Sequence, residues 1–305
     1  MRTIHQRHTG WDNALPPVAE IESGDELEFD VVDASGGQLA RDSTAATLGA
    51  LDFARVNPVT GPVFVRGARP GDVLEVEIRA LTPSGWGWTG IIPGFGLLAD
   101  EYPAPWLAHW QIDGGIATGL GGVRVPIRPF PGTIGVALPE PGAHSIVPPR
   151  RNGGNMDIKH LVAGARLLLP VLVEGALFSV GDTHAAQGDG EVCGTAIESP
   201  MTVTLRITLR RGRSLPAPEY VLPPPSVAPP DPAGYHVTTG IASDLLEAAR
   251  EATRHAVAYL QVEHGFTREE AYVLASVCVD LRISEVVDAP NWLVSAVVPL
   301  SIVSR

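Results

Sequence analysis

The residues best suited to catalysis lie in one short segment, Gly181 to Glu191, which reads GDTHAAQGDGE. Asp182 and His184 are two positions apart, so in an extended chain both side chains point to the same face and can converge. Asp189 and Glu191 have the same spacing and can converge from a returning strand. Carboxylates with an imidazole are a usual ligand set for a hydrolytic divalent metal. The segment therefore predicts a metal site or an acid–base site.

The same residues also have an ordinary structural interpretation. Asp189 and Gly190 form a pair that is common in hairpin turns. Asp182 can cap local backbone amides, and His184 can be a buried histidine with satisfied hydrogen bonds. Spacing alone leaves both interpretations open.

A second polar cluster follows the pair Gly153-Gly154 and contains Asn155 and Asp157. In one interpretation Asp157 is the N-cap of a helix from Ile158 to Ala163. In the other, Asp157 joins the site of Asp182 and His184, and Asn155 orients a substrate. No Walker or dinucleotide-binding pattern surrounds the glycines, which excludes a phosphate loop.

A third candidate group comprises Cys193, the carboxylate Glu198 at the end of a strand, and the aromatic run Gly85 to Gly90, GWGWTG. The spacing supplies no base to Cys193, so we expect it, and also Cys278, to be an inert core thiol. Alternating Gly and Trp suit a loop whose rings wall a pocket, with Trp88 as a substrate contact, although packing between sheets explains them almost as well.

These residues must be positioned by strands, because the first two thirds of the chain consist of short apolar runs between Gly and Pro turns. Strict alternation predicts a strand at Met201 to Leu209. The other predicted strands are Glu26 to Val32, Asp72 to Ile78, Arg166 to Val173 and Ala176 to Val180.

The chain changes character after residue 213. Residues 214–234 are rich in proline and read as a connection, so we expect a β region at 1–213 and an α+β region at 235–305. In the latter, Ser243 can cap a helix that ends at Gly265. Thr267 and Glu270 form a capping box that predicts a second, shorter helix. Two strands are predicted after it, around Val277 to Val287 and Leu293 to Val303.

Composition limits the possible partners and location. The net charge of -12 argues against nucleic acid as the main partner. The first residues contain no apolar run like that of a secretory signal, and the most apolar stretch, Leu167 to Val173, is too short to span a bilayer. With 2 cysteines and therefore no disulfide framework, the sequence favours a cytoplasmic protein without membrane association.

The polar segments together resemble the acetamidase/formamidase family. The resemblance rests on the segments RNGGNMDIK at 151–159, GDTHAAQGDGE at 181–191 and CGTAIE at 193–198. It extends to GPV at 61–63, GARPGD at 67–72, GWGWTG at 85–90 and RISEVVDAPN at 282–291, and so covers nearly the whole chain.

The resemblance implies a mostly β fold, a jelly-roll-like β-sandwich core with an α+β C-terminal part, assembled as a homodimer or higher homo-oligomer. It implies hydrolysis of a short linear amide such as formamide or acetamide to a carboxylate and ammonia. It also suggests a divalent metal. A donor set that includes histidine fits zinc, whereas oxygen ligands alone would fit calcium.

Amide hydrolysis needs a strong nucleophile, a polarised carbonyl and a protonated leaving nitrogen, and the candidate residues divide among these tasks. We expect the ion to be bound by four residues: Asp157, Asp182, His184 and Glu198. Glu191 would carry the proton from water to nitrogen, with Asp189 and His184 as further catalytic candidates. The expected substrate contacts are Asn155, Gln187 and Trp88.

The sequence leaves two alternatives to a metal-dependent amidase. One is an enzyme with the same residues but no catalytic metal, which uses Glu191 or Cys193 directly. The other is a non-catalytic jelly-roll module that binds a small polar ligand or a structural metal.

Overall fold

The computed structural model describes residues 1–97, 99–100, 102–191, 193–224, 231–266, 268, 271, 275 and 279–303. Strands dominate these residues, and the long helix lies near the C-terminus. The predicted class is confirmed: the protein is mostly β, with a jelly-roll-like β-sandwich core and an α+β C-terminal part.

The larger sheet contains nine strands within the described residues, in the spatial order β1-β4-β15-β6-β13-β16-β17-β19-β18. Their bounds are β1 Arg2–Ile4, β4 Glu26–Val31, β6 Val73–Pro83, β13 Arg166–Pro170, β15 Met201–Arg210, β16 Glu219–Leu222, β17 Tyr235–Ala242, β18 Asp280–Glu285 and β19 Trp292–Pro299.

The second layer has a six-stranded part in the order β12-β11-β14-β5-β2, with β3 also paired to β5, and a four-stranded part in the order β10-β9-β8-β7, again counting described residues only. Their bounds are β2 Arg7–His8, β3 Ala19–Ile21, β5 Val59–Val65, β7 Trp86–Ile91, β8 Trp106–Asp113, β9 Ile116–Gly119, β10 Val123–Pro126, β11 Phe130–Gly135, β12 Gly153–Asn155 and β14 Phe178–His184.

The core lies between the two layers. β4 shows why: its residues alternate between buried and partly exposed, so one face of the strand can pack inward. Phe29 of β4 meets Phe178 of β14 edge to face, with ring centroids 5.8 Å apart. The apolar alternation that predicted β4, β6 and β15 is therefore the pattern that buries them.

The proline-rich segment 214–234 is more than a surface connection. It contains β16, which pairs with β13 on one side and β17 on the other. The strand therefore joins the predicted N-terminal and C-terminal regions into one continuous sheet. The predicted connection thus includes one strand of the sheet, because sheet pairing can place a short run such as Glu219–Leu222 inside a proline-rich stretch.

The helices are α1 Ala45–Gly49, a 3-10 turn Phe53–Arg55, α2 Leu245–His264 and a short C-terminal helix Leu300–Val303. Gly265 ends α2 in a left-handed conformation, as predicted. The N-cap is Asp244 rather than Ser243, because the Asp244 side chain accepts a hydrogen bond from the Glu247 amide. The α2 helix packs on β17 and β19 through Ala248, Ala252, Ala256 and Leu260.

The end of the chain differs in detail from the prediction. The last strand stops at Pro299, and the backbone of Leu300 bonds to Gly234 at the start of a helix, so the strand predicted to reach Val303 was too long. The predicted capping box of Thr267 and Glu270, and also Cys278, lie outside the described residues.

Candidate active site

The site is built on the end of β14, where Asp182 and His184 meet as predicted. His184 Nε2 lies 3.2 Å from Asp182 Oδ1, and both side chains are almost completely buried. Asp182 has a left-handed backbone, with φ of 49°, which is uncommon for a residue with a side chain. Its Oδ2 accepts hydrogen bonds from Thr133 Oγ1 at 3.3 Å and from Asn57 Nδ2 at 3.4 Å.

Gln187 fixes the orientation of the imidazole. Its Nε2 donates to the Asp157 carbonyl at 2.9 Å, so its Oε1 is turned toward His184 Nδ1 at 2.8 Å. An amide oxygen can only accept, and therefore Nδ1 of His184 must carry a proton. This leaves Nε2 pointing at the carboxylates, the arrangement by which an outer hydrogen bond orients a histidine ligand. Gln187 thus positions His184, and both ends of its amide are already engaged.

Glu198 is a second carboxylate close to the same nitrogen. Its Oε2 lies 3.2 Å from His184 Nε2, and its Oε1 accepts from the Ala196 amide at 2.8 Å. Trp88 holds the Glu198 backbone through two hydrogen bonds of 2.9 and 2.8 Å. The Trp88 indole itself is buried and donates to Asp33 at 3.0 Å. The segment GWGWTG therefore forms strand β7, not the expected loop, and Trp88 positions a candidate ligand as well as lining a cavity.

Asp157 and Glu191 complete the cluster. Asp157 Oδ1 lies 3.7 Å from His184 Nδ1, and Glu191 Oε1 lies 3.9 Å from His184 Nε2. Both residues have left-handed backbones, with φ of 49° and 46°, as Asp182 does. Strained conformations of this kind persist where the surrounding structure over-determines them, commonly at functional sites. The helix predicted from Ile158 to Ala163 is absent from this fully described stretch, so Asp157 is not an N-cap.

The donor atoms fit a bound cation. Two groups have ligand atoms within 4.8 Å of one another: Asp157, His184 and Glu191, and Asp182, His184 and Glu198. Both carboxylate oxygens of Asp157 and Oε2 of Glu198 are buried and form no hydrogen bond of good geometry among the described residues, although Glu198 Oε2 lies 3.2 Å from His184 Nε2 and Asp157 faces Asp288. Leaving charged oxygens buried without partners is costly, and a divalent cation between them would remove that cost.

The electrostatics of the cluster without a cation support the same conclusion. Burial raises the pKa of Glu198 to about 8 and that of Asp157 to about 6. Burial, with the nearby Asp157 charge, also raises the pKa of Glu191 well above its usual value. Burial opposes a charged His184, but the adjacent Glu198 and Asp182 carboxylates outweigh it and raise its pKa. The buried acids thus take up protons when no cation is present, and a divalent cation would compete with those protons for the same oxygens.

A hydrogen-bonded chain extends the site to residues that were missing from the sequence prediction. Thr133 Oγ1 donates to Asn155 Oδ1 at 2.5 Å, and Asn155 Nδ2 donates to Asp288 Oδ2 at 2.6 Å. The Asp288 amide in turn donates to Glu285 Oε1 at 2.5 Å. Burial, followed by the Asp157 charge, raises the pKa of Asp288 well above its usual value. Two acids in the otherwise apolar segment RISEVVDAP were the only sequence signal for this part of the site.

The structure does not bring Asp189 to the cluster. Its carboxylate lies 2.8 Å from Lys159 Nζ in a partly exposed ion pair. The returning strand that would have aligned Asp189 with Glu191 is not formed, because the chain turns at Gly190, which bridges to Glu285. Alternation therefore does not fix the relative direction of these two side chains, and Asp189 pairs instead with Lys159.

Two cavities flank this turn and share Glu191 and Thr195 in their walls. The smaller, of about 270 Å³, reaches the acidic cluster and is lined there by Asn155, Asp182, Glu191, Glu198 and Asp288. Its lining also includes apolar side chains such as Leu51, Ile92 and Phe95. The larger, of about 480 Å³, is lined by Gln187, Asp189, Lys159 and Cys193 among others. The Cys193 thiol contacts Thr195 and the Gly90 carbonyl, so no base is hydrogen-bonded to it.

Known proteins are similar to this chain in sequence and in fold. The chain matches the acetamidase/formamidase family over residues 2–143 and 140–305. It is 30% identical to an acetamidase of Mycolicibacterium smegmatis, over 88% of this chain and 84% of that protein. It is 28% identical to a formamidase of Methylophilus methylotrophus, over 97% and 89% of the two chains. The crystal structure of an acetamidase from Bacillus halodurans superposes with a TM-score of 0.89 at 30% identity, over 99% and 100% of the chains.

These similarities, with the buried site, define a hydrolase that acts on C–N bonds of linear amides. The chain belongs to the acetamidase/formamidase family. Among the helices in the described part of the chain, none is long and apolar enough to cross a membrane.

Proposed function

We propose that the protein hydrolyses a short linear amide, of the formamide or acetamide kind, with a metal-activated water at the end of β14. The observation that carries the proposal is the set of buried carboxylate oxygens without hydrogen bonds that surrounds His184 and opens into a small cavity. The residues proposed to hold the ion are Asp157, Asp182, His184 and Glu198, and the geometry supports adding Glu191 as a neighbour of the ion.

A donor set that contains an imidazole favours zinc over calcium, because calcium prefers oxygen ligands alone. When bound there, the ion would lower the pKa of a water molecule and polarise the amide carbonyl. Gln187 would keep His184 Nε2 directed at the ion, since it holds the proton on Nδ1. Asn57 and Thr133 would hold Asp182 in the same way through its second oxygen.

Glu191 is our proposed proton carrier. It lines the cavity, lies 3.9 Å from His184 Nε2 and is buried, and burial raises its proton affinity. A carboxyl group of this kind can take a proton from water and donate it to the leaving nitrogen. Asp189 is less well placed for this role because Lys159 neutralises it outside the cluster.

The proposed substrate contacts are Asn155, Trp88 and Asp288, which line the cavity together. The Asn155 amide nitrogen is engaged by Asp288 and its oxygen by Thr133, so the side chain is fixed before substrate arrives. A pre-oriented contact lowers the entropic cost of holding the amide in a reactive geometry. Gln187 is assigned a positioning role instead of the substrate contact expected from the sequence.

The decisive experiment is ammonia release from formamide, acetamide and longer amides, before and after chelation, with metal content measured on the same samples. We expect release that chelation abolishes and zinc restores, with about one bound ion for each chain. The Asp182→Asn variant should lose both the ion and activity. Release that persists in a metal-free preparation would keep the amidase and remove the metal. No release from any amide would instead support a binding module.

The proposal includes three further properties expected from the sequence. These are a cytoplasmic location, assembly as a homodimer or higher homo-oligomer, and residues 235–305 as an α+β unit packed on the β region. The edge strand β18 supports self-association, because Leu281 and Ile283 are exposed on it. Sedimentation analysis of the purified protein tests the oligomeric state, and a monomer at micromolar concentration would refute it.

A further inference from the structure

The cavity that reaches the acidic cluster is lined by two chemically different sets of side chains. One set consists of the carboxyl and amide groups described above, and the other is apolar. The apolar set includes Leu51, Phe53, Val56, Ile92, Phe95 and Val147. An amide is itself divided in this way, since its C–N group is polar and its acyl chain is not. The acyl chain is therefore expected to lie against apolar side chains while the C–N group faces the carboxylates.

Phe95 is an apolar wall residue that contacts the segment just after the catalytic turn. It lies in the connection after β7, where its amide bonds to the Ile92 carbonyl at 3.0 Å. Its ring rests directly on Gly194, three residues after Glu191. A Cβ atom on Gly194 would lie 2.3 Å from Phe95 Cδ1, so only glycine allows the ring this position. The next residue, Gly96, also leaves no room for a side chain, because a Cβ atom there would lie 2.8 Å from the Cys193 carbonyl oxygen.

This packing holds the ring as part of a rigid wall. Phe95 is half-buried, whereas Phe53, the other phenylalanine of the cavity, is 59% exposed at its rim. The cavity volume of about 270 Å³ lies at the lower limit of small-molecule sites. A closed wall at this volume limits the length of the acyl group more effectively than an exposed rim residue can.

We propose that Phe95, seated on Gly194, determines substrate specificity by setting the upper limit of acyl length. This inference rests on the proposed amidase function and deepens it. The preferred substrate is a short aliphatic amide whose acyl chain touches the Phe95 ring. Truncation of the ring would open space for a longer or aromatic acyl group. One additional methylene in an apolar pocket changes specificity by roughly 10-fold or more, so the effect is measurable.

The test is kcat/KM for acetamide, propionamide, butyramide and benzamide with the wild type, Phe95→Ala and Leu97→Ala. Leu97 is the matched control, because it belongs to the same connection, is 52% exposed and does not line the cavity. We expect the wild type to lose activity as the chain lengthens. Phe95→Ala should raise the butyramide-to-acetamide ratio by at least about 10-fold, whereas Leu97→Ala should leave it unchanged.

Phe95→Leu provides a second variant with less effect on packing, and it should give an intermediate ratio if Phe95→Ala does not fold. Turnover with an unchanged ratio in both folded Phe95 variants, or an equal change in Leu97→Ala, would overturn the role of Phe95 and leave the amidase intact. An absence of turnover by the wild type with all four amides and also with formamide would overturn the amidase function and this inference together, whereas turnover of formamide alone would overturn this inference and leave the amidase intact.

Discussion

Gly132 is tightly packed against residues of the site, and its replacement by alanine should disable the proposed metal site. Gly132 belongs to β11, and its carbonyl accepts hydrogen bonds from the amides of Met156 and Asp157. A Cβ atom added there would lie 2.6 Å from Asp157 Oδ1 and 2.8 Å from His184 Cε1. Ordinary contact begins near 3.4 Å, so the two groups would have to retreat by about 0.8 and about 0.6 Å.

Neither the Asp157 carboxylate nor the His184 imidazole can move away easily. The imidazole is held by Gln187 on one side and carboxylates on the other, and the third close atom is the backbone carbonyl of Asp182, 3.0 Å away. Functional groups must stay within roughly 0.5 Å of their productive positions. A misplacement near 1 Å costs on the order of 100-fold in rate. We therefore expect Gly132→Ala to lower kcat/KM about 100-fold and to weaken metal binding.

The assay pairs ammonia release with bound metal determined by mass spectrometry after dialysis. Gly188→Ala is the matched control, because a Cβ atom there meets nothing within 4 Å and the backbone is not left-handed. It should retain activity and metal. Overpacking costs about 1–3 kcal/mol, so circular dichroism must show that Gly132→Ala is folded under the assay conditions. A folded Gly132→Ala with wild-type activity and metal content would refute the steric argument.

Three further predictions follow from the charges and thiol of the site. The metal-depleted protein should lose stability as pH rises from about 4.5 to about 8, and the urea midpoint of unfolding measures this loss. The reason is that Glu198 and Glu285 have raised pKa values in the folded state, so they still hold protons at a pH where the unfolded chain has released them. The raised pKa of His184 acts in the same direction, and metal-loaded protein should show a flatter profile. Asp189→Asn should retain activity within about threefold and lose less than about 1 kcal/mol of stability, since its exposed ion pair is outside the cluster; a 100-fold loss of activity would restore its catalytic role. Cys193→Ala should be nearly silent in kcat/KM, and inactivation would favour a thiol nucleophile.

The local sequence pattern was sufficient to predict those parts of the site that lie on regular strands. Asp182 and His184 converge because they are two residues apart on β14, and the strands of the sandwich follow the alternation of apolar residues. The same rule failed for Asp189 and Glu191. There the backbone is left-handed at Glu191 and turns at Gly190, so spacing no longer fixes direction. Spacing arguments hold only where the chain is extended.

The rest of the site depends on which strands are neighbours. Asp157 reaches His184 because β12 pairs with β11 and β11 pairs with β14, and no local pattern specifies this order. Asp288 arrives from a connection between β18 and β19, 131 positions after Asp157, and was identified only by its contact with Asn155. Long-range contacts of this kind are a property of the whole fold.

The buried acidic residues are a feature of the fold that its stability alone does not explain. Asp157, Asp182, Glu191 and Glu198 are buried around one imidazole, and the buried acids Glu285 and Asp288 lie behind them. A fold selected for stability alone would replace such a cluster by apolar side chains, which is often neutral or stabilising. Protons can relieve the repulsion, but the left-handed backbones at Asp157, Asp182 and Glu191 add a further cost that protonation does not repay. A bound divalent cation gains from both the charge and the fixed directions of these carboxylates. The arrangement of the cluster therefore favours the proposed metal site over a purely structural role.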